Sequence, residues 1–116
     1  MRLTIFFISI ILFLGSCKKD NEETLYPETE PLPEEISFSV NVLPIINNSC
    51  ATIGCHVQGG SANGIFENYN QIKAKVDNGS FKQRVVVSKD MPPSGNLPKQ
   101  QIDIIEQWIL DGAPNN

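Results

Sequence analysis

The stretch Cys50-Ala51-Thr52-Ile53-Gly54-Cys55-His56 constrains this chain more than any other, because the fold must present two thiols and an imidazole from one short loop. Two cysteines closed off by a histidine form the attachment signature of c-type haem. The thiols add to the haem vinyl groups, and the adjacent imidazole becomes the proximal ligand of the iron. The usual spacing is C-x-x-C-H; here it is C-x-x-x-x-C-H. The ligand inventory is spare. His56 is the only histidine, and Met1 and Met91 are the only methionines. With Met1 in a leader, the remaining chain holds one imidazole followed by one thioether, the order a His/Met haem site requires.

Residues 1–16 read as a signal peptide. Met1-Arg2 gives a short basic start and Leu3 to Leu14 is an almost unbroken apolar run, too short for a comfortable membrane span. The ending Leu14-Gly15-Ser16-Cys17 resembles the bacterial lipobox, which implies a diacylated Cys17 and an exported lipoprotein of a Gram-negative outer membrane, facing the periplasm or the cell surface. The three cysteines then divide into one lipidated residue and a pair. That pair closes the count either as two haem thioethers or as a Cys50–Cys55 disulfide, and the count does not choose.

Residues 17–35 read as a tether. From Lys18 to Glu35 seven acids face two lysines, a net of −5, whereas six acids and six bases balance from Ile36 onward. The acidic character belongs to the tether and gives no reason to expect nucleic acid. With Pro27, Pro31 and Pro33, such a segment stays extended and solvated.

The remaining segment, 36–116, has room for one small domain. Ser37 to Asn48 reads as a first helix, with Pro44 tolerable only in a first turn, so that the start can fall as late as Leu43. Asn47-Asn48-Ser49 stops it and delivers Cys50 at a helix end. Residues 56–64 are rich in Gly, Ser and Asn and form a loop able to lie close over a planar cofactor. Asn68 to Asp77 is a second helix with Tyr69, Ile72 and Val76 on one stripe, stopped by Asn78-Gly79. Phe81 to Val87 is ambiguous between a helical turn and an extended segment packed on the core. Pro92 and Pro93 forbid helix after Met91 and stiffen the loop that presents it, although Met91 also suits a core gap-filler. Pro98 to Asp111 is the clearest helix, with Ile102, Ile105 and Ile109 on one stripe, widened by Ile104 and Trp108, and Gly112 at its end. Trp108 serves equally as core packing or as a wall of the haem site.

This order of first helix, cysteine–histidine motif, middle helix, Met-Pro loop and C-terminal helix resembles the small single-haem cytochrome c family. It looks most like the cytochrome c-type lipoproteins of Bacteroidetes, in which Cys-Ala-Thr-x-Gly-Cys-His and a final Trp-Ile-x-x-Gly-Ala (here Trp108 to Ala113) recur. The resemblance spans 36–116. It implies an all-α domain of three to four short helices wrapped around one haem c. By that likeness Cys50 and Cys55 carry the thioethers, His56 is the proximal iron ligand and Met91 the distal one. The implied role is single-electron transfer to a redox partner protein, without bond chemistry. A thin core of about 80 residues also gains from such a centre.

Lys73, Lys75, Lys82, Arg84 and Lys89 form a basic cluster suited to an acidic partner, to haem propionates or simply to solvent. Two alternatives stay open. One is a non-haem binding lipoprotein with a Cys50–Cys55 disulfide; the other is a haem gas sensor or peroxidase whose distal site is open because Met91 does not bind. A zinc site is poorly supplied, with two cysteines and one histidine.

Overall fold

Pro44 decides how the first helix is built. It has no N–H, so the carbonyl of Val40 loses its α-helical donor four residues on. The computed structural model, which describes residues 30–116, resolves this with a wider turn. Phe38–Val42 is π-helical, the N–H of Leu43 reaching back to the carbonyl of Phe38, and α1 (Leu43–Ser49) follows with Pro44 in its first turn. Val40 is exposed, so water can serve the carbonyl that proline leaves without a partner. The leader, Cys17 and most of the tether lie outside the described residues. Residues 30–35 are exposed and carry no helix; Ile36 is the first buried side chain.

The second helix, α2 (Tyr69–Asp77), starts on a capping box. The Asn68 side chain accepts from the N–H of Gln71 at 3.1 Å, and the Gln71 side chain accepts from the N–H of Asn68 at 3.2 Å. After Gly79, left-handed at φ +77°, the single turn α3 (Ser80–Lys82) runs into a π-helical stretch, Gln83–Val87. The ambiguous valines are therefore helical, with Val85 and Val86 buried beside Phe81 and Val87 left outside.

The last helix, α4 (Lys99–Leu110), ends in a Schellman motif. The N–H of Gly112 reaches Ile109 O at 3.1 Å and that of Ala113 reaches Trp108 O at 2.8 Å, with Gly112 at φ +92°. The turn carries Ala113 into the core, where it is buried.

Two aromatic clusters organise the interior. At the first, Phe38 stacks on Trp108 (centroids 5.5 Å) and meets Tyr69 edge-on (5.1 Å), tying the start of the domain to α2 and α4. Its polar atoms are satisfied by the chain end: Trp108 Nε1–H donates to Pro114 O at 2.9 Å and Tyr69 O–H to Ala113 O at 2.8 Å. Asn116 then caps the first helix, whose N-cap Ser37 makes no side-chain cap bond of its own. Its Oδ1 accepts from the N–H of Phe38 at 2.8 Å and its backbone oxygen from the N–H of Ser39 at 3.0 Å. The second cluster is His56, Phe66 and Phe81. Among the described residues the domain is all-α, with no strand, and no helix is long and apolar enough to cross a membrane.

Candidate functional site

Cys50 caps α1, its N–H bonded to Ile46 O at 2.8 Å, so the helix hands its last turn to the first thiol of the motif. From there the chain makes a tight turn. The N–H of Cys55 donates to Thr52 O at 2.9 Å, with Ile53 and Gly54 at the turn's centre and Gly54 at φ +83°, as a type II turn needs. Ile53 is fully exposed. The extra length of the C-x-x-x-x-C spacer is thus spent in a turn at the surface, and the N–H of His56 still returns to Cys50 O at 3.2 Å.

The glycine-rich loop closes over this turn. Ser61 donates from its N–H (3.0 Å) and its hydroxyl (3.1 Å) to Gly54 O, and Phe66 N–H donates to His56 O at 2.8 Å. Gly60 lies so close that a Cβ there would stand 1.9 Å from Cys55 O and 2.8 Å from Cys55 C. No flexible side chain is available to yield. Gly60→Ala therefore displaces the Cys55–His56 peptide, with an expected loss of about 1–3 kcal/mol. Thermal unfolding measures it; an unchanged melt would contradict the packing described.

The same loop fixes the imidazole. His56 Nδ1 lies 2.8 Å from Gly64 O. A carbonyl only accepts, so Nδ1 carries a proton, and the lone pair of the neutral ring is on Nε2. The ring also lies flat on Phe66, centroids 4.0 Å apart and planes within 3°. Tautomer and ring plane are both held, which is the support a metal-binding imidazole needs.

Cys50, Cys55, His56 and Met91 all line one cavity of about 430 Å³, with Phe66, Phe81 and Val85 as apolar wall. That volume falls in the range of small-molecule sites. Both thiols are free, Cys50 buried and Cys55 partly exposed. Burial, and secondarily the neighbouring Cys55, push the Cys50 thiol up to about 11, so it is protonated at neutral pH. Met91 is half-buried against the core in the loop after the π-helical stretch. That loop is braced by Arg84, whose backbone carbonyl accepts from Asp90 N–H at 3.1 Å and whose Nε donates to Asp90 Oδ1 at 2.7 Å.

Trp108 stands apart from these residues. It is fully buried in the other aromatic cluster and does not line the cavity. Of the basic cluster, Lys75 and Arg84 face the cavity, while Lys73 pairs with Asp77 on α2. Among the described residues no three His, Cys, Asp or Glu side chains converge as a metal-ligand set. A donor pair of one imidazole and one thioether would not form such a set.

The residues fit a covalently held haem on chemistry: two thiols for the vinyl groups, a tautomer-fixed imidazole, a thioether and an apolar wall on one cavity. Sequence reasoning missed Gly60, the Gly64 carbonyl and Phe66; the glycine run was their only trace in the sequence. No protein-family model, curated protein or solved structure matches this chain.

Proposed function

We propose that this chain is a lipid-anchored electron-transfer protein of cytochrome c type, with one haem c joined to Cys50 and Cys55, ligated by His56 and Met91, and no enzymatic activity of its own. The observation that carries the reading is the arrival of those four side chains, 41 residues apart at the extremes, on a single cavity. Haem held there supplies a one-electron couple. The chain's own contribution is positioning. The Gly64 carbonyl holds the Nδ1 proton and raises the basicity of Nε2, Phe66 fixes the plane of the ring, and Phe66, Phe81 and Val85 exclude water. Export, lipidation at Cys17, an outer-membrane location and a redox partner protein belong to the same proposal and rest on the sequence.

The test is a visible spectrum of the exported protein, reduced and oxidised, before and after denaturation in alkaline pyridine. A sharp low-spin reduced α band that persists as a c-type pyridine complex is the expected result. An apo spectrum, from cells that mature other c-type cytochromes, would overturn the reading in favour of a disulfide-bonded binding module. A high-spin spectrum would keep the haem and redirect the function to gas or peroxide chemistry.

Met91→Ala separates the distal ligand from the rest. Haem stays attached, the iron becomes high-spin and carbon monoxide binds the reduced protein, where the unaltered protein resists it. Identical carbon monoxide binding by both proteins would remove Met91 from the iron.

A further inference from the structure

Asparagine is followed by glycine twice in this chain, at Asn63-Gly64 and at Asn78-Gly79. Such a pair is chemically labile. With no Cβ to shield it, the glycine nitrogen can reach the asparagine side-chain carbon and close a five-membered imide. Both asparagines are exposed, so access does not distinguish the two sites; hydrogen bonding does. At the second site the reacting atoms are engaged. Gly79 N–H donates to Val76 O at 2.9 Å, and Asn78 Oδ1 accepts from Ser80 N–H at 3.0 Å and from the Ser80 hydroxyl at 2.6 Å. At the first site the Gly64 N–H has no hydrogen-bond acceptor among the described residues. Asn63 Oδ1 is met there only by Lys75 Nζ, at a long 3.4 Å. An ammonium in that place favours the negative charge that grows on the oxygen as its carbon is attacked. What Gly64 does gives the pair its importance. Its carbonyl is the acceptor, at 2.8 Å, that holds the Nδ1 proton of His56.

We propose that Asn63 is a site of spontaneous deamidation, and that its conversion releases His56 from its fixed tautomer. Solvent base takes the Gly64 amide proton, the nitrogen bonds to Asn63 Cγ, the Cγ–Nδ2 bond breaks and ammonia leaves. Water then opens the imide at either carbonyl. The sum is asparaginyl plus water giving aspartyl or isoaspartyl plus ammonia, with no change of oxidation state. The isoaspartyl product routes the chain through the former side chain and inserts a methylene into the backbone just before Gly64. The Gly64 carbonyl is displaced with it, and the Nδ1 proton of His56 loses its acceptor. Neither step needs haem.

The test ages the full exported chain, as isolated, in mildly alkaline buffer. Peptide mapping follows both sites by the mass gained when an amide becomes an acid. Position 63 should convert about tenfold faster than position 78 in the folded chain, equivalent to about 1.4 kcal/mol in the barrier. In denaturing urea, where neither site keeps its hydrogen bonds, the two rates should agree to within about twofold. His56 is the only histidine, so its ring gives one set of nuclear magnetic resonance signals. In the isoaspartyl fraction the Nδ1 proton should exchange with solvent about fivefold faster, as the loss of one hydrogen bond implies. Asn63→Gln cannot close a five-membered ring, and its His56 signals should be unchanged by the same ageing. Equal rates at the two sites in the folded chain, or faster conversion at position 78, would overturn the assignment of the site. An isoaspartyl chain whose His56 proton exchanges as before would break the link to the imidazole.

Discussion

Replacing Cys50 and Cys55 together with alanine is expected to give an exported, helical protein that carries no covalent haem. The effect is all or none, since a denaturing gel stained for haem retains colour only where thioethers survive unfolding. The change is mild for the fold. Each substitution removes one sulfur atom, and only Cys50 is buried. Far-ultraviolet circular dichroism should therefore be preserved, which separates lost attachment from lost structure. Each single variant keeps one thiol and is expected to retain stain at reduced yield. Colour that survives denaturation in the double variant would show that haem is held by other means and would dismiss the motif.

Trp108→Ala is the largest expected change in stability. Trp108 is fully buried, stacked on Phe38, and gives its indole N–H to Pro114 O. Truncating such a ring costs about 3–5 kcal/mol. Small domains hold only about 5–15 kcal/mol in all, and short chains sit low in that range. The unligated variant should thus be largely unfolded at room temperature, read as loss of a cooperative melt. Trp108→Phe keeps a ring but strands the Pro114 carbonyl, at about 1–3 kcal/mol. Because Trp108 does not line the cavity, the Phe variant should leave the spectrum of the proposed haem unaltered. A melt unchanged in the alanine variant would mean that the Phe38–Tyr69–Trp108 cluster is not the keystone described.

The parts legible in the sequence are those set by local chemistry. The second helix runs from the N-cap Asn68 to Asp77, Gly112 ends α4, and the isoleucine stripe of α4 does face the core, with Trp108 among its deepest members. The motif itself is read from the sequence, and its three donors meet Met91 on one cavity. The valine run was ambiguous because strand preference expresses side-chain packing more than backbone bias, and packing beside Phe81 decides it. The first helix expected over Ser37 to Asn48 is present from Phe38 to Ser49, and its α-helical part starts at Leu43, the latest start that Pro44 allowed, after a π-helical turn. The supports of His56 were illegible for a different reason. Gly64 and Phe66 reach the ring only once the glycine loop has folded back, and no period or cap encodes that closure.

The turn between the cysteines has a wider consequence. Thr52 to Cys55 closes on itself, Ile53 projects wholly into solvent, and the return from His56 to Cys50 is made by a backbone bond on the inner side. The middle of the spacer between the thiols is then an outward turn, and the His56 ring is held by Gly64 and Phe66 rather than by Ile53. A cysteine at a helix end, a Cys-His pair and a glycine loop that folds back onto the imidazole are what this chain builds around that turn.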